Sequence, residues 1–308
     1  MTERVTYDEF GMFQENASEH GIPWLGQPSV RRKFVDVRDG RRMSALCWGD
    51  APARLVFLHG GAQNAHTWDT VALAMGLPAV CIDLPGHGHS GSAAPHDPAV
   101  ALLQQNAADV ADVIAALAPE AEMVVGMSLG GVTALALSRD HAPLVRKLAL
   151  IDITPGVNQE KTRQITDFVN GPATFPSFDD LLQRTIQFNP TRSEASLRRG
   201  ILHNALQRDD GSWVWRHRRD DAPALPETNA GADRPSMSSL WDVVSAFDKP
   251  IMLVRGMRQQ SVVSDDDEAE FLRRSPAARV ERVIDAGHSI QGDAPIELSR
   301  LLLDFLAR

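Results

Sequence analysis

Cysteine is nearly absent from this 308-residue sequence, with only Cys47 and Cys81 present. Both lie in apolar, strand-like runs, which excludes a disulfide framework and points to buried free thiols in a reducing cytoplasm. No stretch approaches the roughly 18 consecutive apolar residues of a membrane-spanning helix. The start, Met1-Thr2-Glu3-Arg4-Val5, lacks the apolar segment of a secretory signal. A basic excess is missing too. With 31 Lys and Arg against 40 Asp and Glu, the net charge is −9. This argues against nucleic acid or an anionic membrane as the main partner. The short basic runs Arg31-Arg32-Lys33, Arg41-Arg42 and Arg216 to Arg219 read as solvated faces. No group of His, Cys and Asp has metal-ligand spacing, so no metal or other cofactor is expected. There is no internal repeat and no low-complexity tract.

What is present is a core: 43% of residues are hydrophobic, enough for one large domain or a core with an insertion. The most informative stretch is Val124-Val125-Gly126-Met127-Ser128-Leu129-Gly130-Gly131. An apolar run reading as a buried strand, Met123 to Met127, ends in Gly-x-Ser-x-Gly, and a helical run begins at Leu129. A turn this tight forces Ser128 into a strained conformation and holds its hydroxyl clear of the sheet. A Cβ at position 126 or 130 would collide with the neighbouring strand or helix. The amide of Leu129, in the first helical turn, is free to face a developing oxyanion.

Along the chain, residues 1 to 30 read as an N-terminal arm packing on the core through Phe10, Phe13 and Trp24. Lys33 to Val37 and Arg42 to Trp48 read as two strands joined by Arg38-Asp39-Gly40. Buried strands follow at Leu55 to Leu58, Ala79 to Ile82 and Lys147 to Ile151, with helices at Thr67 to Met75 and over residues 98–117. Residues 155 to 235 carry no continuous buried strand. They hold helical stretches (Glu160 to Val169, Phe178 to Phe188, Glu194 to Leu206) and joints at Pro172, Pro176, Pro190, Pro223, Pro226 and Pro235. This reads as a helical insertion. The alternation resumes with Ser238 to Phe247, Ile251 to Val254, Asp265 to Arg274 (Ser264 as N-cap, Asp267 three residues on), Val280 to Ile284 and Pro295 to Leu306. Strands alternating with helices imply a mostly parallel sheet covered on both faces. Ligands bind beyond the carboxyl ends of such strands.

A serine nucleophile needs a base, an acid to orient the base, and oxyanion donors. His288 stands in Asp285-Ala286-Gly287-His288-Ser289, after the last strand, where it can reach across the top of the sheet. His59, before Gly60, is read as shaping the oxyanion loop, and His87 and His89 as fixing a Gly-rich loop. Two carboxylates compete for the acid. Asp152 ends the strand after the elbow helix. Asp265 opens a later helix, where its charge suits the helix dipole. Asp152 is favoured because its strand neighbours the elbow. The second oxyanion donor is expected from the loop after Leu58, at Gly61, with Ala62 the off-by-one alternative.

Four segments together resemble the α/β-hydrolase superfamily: Leu58-His59-Gly60-Gly61, Asp83-Leu84-Pro85-Gly86-His87-Gly88-His89-Ser90, Gly126 to Gly131, and Ala286-Gly287-His288-Ser289. They cover residues 35 to 155 and 235 to 308. The resemblance implies an eight-stranded, mostly parallel sheet with helices on both faces. It makes residues 1–154 and 236–308 the core and 155–235 a helical cap after the sixth strand. The stretch Asp210 to Arg216 resembles one near the return from such a cap, so Trp213 and Trp215 are read as packing anchors. The acid common after the seventh strand is missing around Gln259 and Gln260. Some members place it after the sixth, where Asp152 stands. The expected activity is that of a serine hydrolase of the carboxylic-ester type. It would cleave an ester, a lactone or a C–C bond next to a carbonyl in a small, largely apolar substrate. Alternatives are a cofactor-independent dioxygenase of the same fold, disfavoured because Leu129 stands where those enzymes often carry histidine, and a non-catalytic ligand-binding module.

Overall fold

A computed structural model describes residues 4–91, 102–157, 159–218 and 239–308. Residues 98–101, Arg219, Pro223, Pro226, Pro235 and Ser238, all singled out above, lie outside the described residues.

The N-terminal arm holds one helix, α1 (Phe13–Glu19). The core then runs β1 (Val30–Asp36), β2 (Arg42–Trp48), β3 (Leu55–Leu58), α2 (Asp69–Met75), β4 (Ala79–Asp83), α3 (Leu102–Leu117), β5 (Met123–Met127), α4 (Leu129–Asp140) and β6 (Leu148–Ile151). An inserted segment follows with α5 (Gln159–Val169), β7 (Thr174–Phe175), α6 (Phe178–Phe188), α7 (Glu194–Asn204), β8 (Ala205–Gln207) and β9 (Trp213–Trp215). The core resumes with α8 (Leu240–Ala246), β10 (Ile251–Gly256), α9 (Asp265–Arg274), β11 (Arg279–Val283), α10 (Ile290–Asp293) and α11 (Pro295–Ala307).

Eight strands form one sheet in the order β1-β2-β4-β3-β5-β6-β10-β11. The pairs β1–β2 and β2–β4 are antiparallel and every other pair is parallel. Alternation along each strand divides the core in two. Val56 and Leu58 of β3, with Val124 of β5 and Leu148 and Leu150 of β6, pack under α3, α4, α8 and α9. Leu55 and Phe57, with Met123, Val125 and Met127, face α1, α2 and α11. All four residues of β3 are fully buried, each contributing about 1.5–3 kcal/mol by leaving water. That explains why the central strands are continuous apolar runs.

The inserted segment departs from the all-helical expectation. β7, β9 and β8 form a small antiparallel sheet, in that order, and the chain that was read as helix to Leu206 turns to strand at Ala205. Strands of two or three residues are too short to show a period of two. Trp213 and Trp215 are buried there against α6 and α7. The capping box at Ser264 and Asp267 is present, with each side chain bonded to the other's backbone N–H.

The arm ties the core to this segment. Phe13 is buried beneath the sheet, while Asn16 Oδ1 accepts from Arg199 Nε of α7 at 2.7 Å and Glu19 pairs with the same guanidinium. Tyr7 Oη lies 2.8 Å from His203 Nδ1, also on α7. Cys47 and Cys81 are buried free thiols, and burial pushes both thiols up from their ordinary value. Among the described residues, no helix is long and apolar enough to cross a membrane.

Candidate active site

Ser128 stands between β5 and α4 with φ 50° and ψ −117°, a left-handed backbone that costs a non-glycine residue about 1–3 kcal/mol. It occupies the N-cap position of α4, yet its hydroxyl makes no capping hydrogen bond. Serine at an N-cap ordinarily satisfies an amide of its own helix. Here the strained turn keeps the hydroxyl away from that work. The turn is made possible by close contacts that no side chain could share. A Cβ on Gly126 would sit 2.5 Å from Gly130 O, and one on Gly130 would sit 2.3 Å from Leu58 O.

Asp152 follows β6 and is fully buried, with φ 46°. Its carboxylate accepts from Gly256 N–H at 2.9 Å, Ser261 Oγ–H at 2.6 Å and Val262 N–H at 3.0 Å. His288 Nδ1 completes the set at 2.9 Å from Oδ2. With a carboxylate at Nδ1, the neutral ring carries its proton there and leaves Nε2 as an acceptor. His288 Nε2 is buried and has no hydrogen-bond partner among the described residues. The loop carrying His288 is pinned by Gly287 N–H to Asp293 Oδ2, 2.9 Å. The competing carboxylate, Asp265, has a side chain 92% exposed and pairs with Arg255 at 2.7 Å. The structure brings Asp152, not Asp265, to His288.

The loop after β3 is shaped by two neutral histidines. His59 Nδ1–H donates to Gly60 O at 2.7 Å and its Nε2 accepts from Leu84 N–H at 2.9 Å. Burial holds this ring down to about 3, far below its ordinary value. His87 Nδ1–H donates to Pro85 O at 3.0 Å, and its Nε2 accepts from Ala62 N–H at 3.1 Å. Burial likewise lowers His87. The amide of Ala62 is therefore engaged, and its carbonyl accepts from Asn204 Nδ2 of the inserted segment at 2.6 Å. Gly61 has no such tie, and a Cβ there would meet nothing within 4 Å. Leu129 opens α4, where first-turn amides have no intrahelical acceptor.

A cavity of about 170 Å³ joins these parts: Ser128, His288, Gly61 and Gln63 line one side, and Phe168 and Phe188 of the inserted segment the other. A second, also about 170 Å³, adjoins it and shares Ala62, Gln63, Asn189, Phe168 and Ser289. Each exceeds the roughly 150 Å³ apolar cavity known to accept a benzene-sized guest. Sequence reasoning missed Ser261, Gln63, Asn204 and Asp293. None belongs to a local motif, and each meets the site from a different stretch of chain.

Sequence spacing also missed a cluster: His66, Asp69 and His203 lie within 4.8 Å of one another, all buried. Most of their ligand atoms are already engaged, although Asp69 Oδ1 is buried without a partner among the described residues. His66 Nδ1 meets Asp69 Oδ2 at 2.8 Å and His66 Nε2 meets Glu9 Oε1 at 3.1 Å. The two imidazoles are stacked, 3.7 Å apart at 10°, so their in-plane lone pairs run parallel and do not converge on one point. Arg32 Nη2 adds positive charge 3.3 Å from His66. Although burial opposes it, contact with Asp69 and Glu9 raises His66 to about 9. The group is a buried ion-pair joint between the arm, the core and α7, ill-suited to a metal cation.

A strained serine on a strand–turn–helix and a histidine held by a carboxylate, at the carboxyl edge of a doubly wound sheet, define a class. The chain belongs to the α/β-hydrolase family, whose profile matches residues 55–301, and it is a hydrolase. Its sequence is 42% identical to the esterase Rv0045c of Mycobacterium tuberculosis, over 96% of each chain. The crystal structure of that esterase superposes with a TM-score of 0.81 at 40% identity, covering 99% of this chain and 100% of the other. The chain is also 28% identical to a 3-hydroxybutyrate-oligomer hydrolase of Cupriavidus necator, over 80% of this chain and 87% of that one.

Proposed function

We propose that this hydrolase cleaves a carboxylic ester through an acyl-enzyme formed on Ser128, with His288 as base and Asp152 as the residue orienting it. Ser128 Oγ attacks the ester carbonyl carbon while its proton passes to His288 Nε2. The carbonyl oxygen becomes an oxyanion that accepts from the amides of Leu129 and Gly61. Collapse expels the alcohol, whose oxygen takes the proton from His288. Water then attacks the acyl-enzyme by the same route, returns the proton to Ser128 and frees the acid. Asp152 stabilises the imidazolium that forms twice in the cycle.

The observation that carries this reading is the state of His288. Its Nδ1 is committed to Asp152, and its buried Nε2, at the cavity that Ser128 lines, is unpartnered among the described residues. A buried acceptor without a donor costs about 1–3 kcal/mol, and a serine hydroxyl rotating toward it would supply the donor. The esterase relative favours an ester over a lactone or a C–C bond. The substrate is a small molecule, and residues 155–235 act as a cap that shapes its site, with Phe168 and Phe188 as an apolar wall. The two buried thiols suit a cytoplasmic setting.

The test is a panel of p-nitrophenyl butyrate, a γ-lactone and a β-diketone, run on the wild type and on Ser128→Ala. Ester turnover should fall by at least about 10³-fold in the variant, together with loss of fluorophosphonate labelling. Undiminished ester turnover in Ser128→Ala would overturn the reading.

A further inference from the structure

Arg192 precedes α7, whose N-cap is Ser193. It lines the second chamber, the one beside the Ser128 cavity. Its Nη2 donates to Ser196 Oγ at 2.6 Å, and its Nε is buried with no partner among the described residues. Unlike its neighbours, it has no counter-ion among the described residues. Arg199 is held by Glu19, and Lys161 in the adjoining cavity by Asp267. Asp293 and Glu19 are close enough to favour its charge, but burial outweighs them and pulls the guanidinium below its ordinary value. The guanidinium lies against the backbone of Gly292, where an added Cβ would come 2.9 Å from Arg192 Cζ. The same chamber holds Gln291, 2% exposed, whose Oε1 is buried without a partner among the described residues. Its Nε2 reaches Thr67 Oγ1 at 3.3 Å.

A half-buried guanidinium with no counter-ion among the described residues is open to an anionic partner, and an orphaned amide oxygen is costly. Here both face one chamber that opens beside the reacting groups and shares Gln63 and Ser289 with them. A singly charged anion entering this chamber would pair with the guanidinium, while the Gln291 oxygen, itself an acceptor, could take only an N–H or O–H from the substrate. Its other end would lie across the oxyanion loop.

We propose that Arg192 is a specificity-determining residue that binds a carboxylate of the substrate, so that the physiological ester is an anionic one. The planar fork of arginine matches a carboxylate better than the neutral methyl end of an alkyl ester does. This proposal rests on Ser128 being the nucleophile, because the chamber matters to turnover only if the ester carbonyl lies there.

The test uses two matched pairs of esters. In the first the charge is on the acyl side: mono-p-nitrophenyl glutarate against p-nitrophenyl pentanoate. In the second it is on the alcohol side: 3-(butanoyloxy)propanoate against propyl butanoate. In one pair the wild type should favour the anionic ester in kcat/KM by about tenfold or more, the size expected of a charge-assisted hydrogen bond. Arg192→Gln should abolish that preference while leaving the neutral ester within about twofold, and Arg192→Lys should keep part of it. No anionic preference in either pair, or an equal fall for both members in Arg192→Gln, would overturn the proposal. A binding readout stands apart from chemistry and from folding of the Arg192 variants. Calorimetry on Ser128→Ala should show 3-(butanoyloxy)propanoate or monomethyl glutarate binding at least about tenfold more tightly than its neutral counterpart. Ester turnover that survived in Ser128→Ala would strike at the nucleophile assignment alone, leaving the calorimetric preference to decide the role of Arg192.

Discussion

Replacing Asp152 with asparagine removes one charge and turns one acceptor into a donor, and the site has no room for either change. Oδ1 accepts from Gly256 N–H and Ser261 Oγ–H, and Oδ2 from Val262 N–H and His288. An asparagine NH₂ at the Oδ2 position would face the fixed donor of Val262. It would also push His288 into the tautomer that carries its proton on Nε2, the nitrogen that the proposed mechanism uses to accept from Ser128. Turned the other way, the NH₂ would face Gly256 N–H, and the imidazolium would still lose its counter-charge. Either orientation strands a backbone donor, costing about 1–3 kcal/mol of stability. The wrong tautomer and the lost charge should lower kcat by about 10⁴-fold, or roughly 5.5 kcal/mol of transition-state stabilisation. Steady-state hydrolysis of p-nitrophenyl butyrate, with circular dichroism to verify folding, measures both effects. Asp265→Asn, made alongside, touches an exposed side chain paired with Arg255 and should leave kcat within about twofold. An Asp152→Asn enzyme retaining a tenth of wild-type kcat would refute the argument, as would loss of activity in Asp265→Asn.

Three further outcomes are expected. Gly130→Ala would drive a Cβ to within 2.3 Å of Leu58 O, so stability should fall by about 3 kcal/mol, read as a depressed midpoint in urea with unchanged slope. His87→Leu leaves the Ala62 amide without its acceptor; a stability loss of about 1–3 kcal/mol and a lower kcat on short esters should appear together. The pH dependence has a definite sign. His59 is depressed from 6.5 to about 3 on folding, so its contribution is complete above pH 6.5 and is lost as pH falls from there toward 3. At about pH 4.5 that loss is about 3 kcal/mol from this residue alone. Urea titrations from pH 7 to 4.5 should show it, and in His59→Gln the slope should be shallower.

The central sheet was legible because its strands are buried on both faces, so each appears as a short, unbroken apolar run such as Leu55–Leu58. The turn at Ser128 was legible because its tightness demands glycine at Gly126 and Gly130, and that demand is written into adjacent positions. Asp152 was reachable only by reasoning about which strand neighbours which. The partners that hold it were hidden: Gly256, Ser261 and Val262 lie 104 to 110 residues away, and two of them act through backbone that carries no side-chain signature. The three short strands of the inserted segment were missed because two or three residues cannot display a period. The joint of Glu9, His66, Asp69 and His203 was missed for a different reason. It brings together the arm, one turn of the core and α7, and spacing along the chain says nothing about residues that only folding brings together.

The contacts of the arm also set an order of events during synthesis. Asn16 must wait for Arg199, 183 residues later, and Tyr7 for His203, 196 residues later. At 5–20 residues per second, the arm stands without these partners for roughly ten to forty seconds after it is made. Phe13, destined for the underside of the sheet, is exposed for part of that time. The arm is therefore made well before the parts it binds and is among the last to find its place.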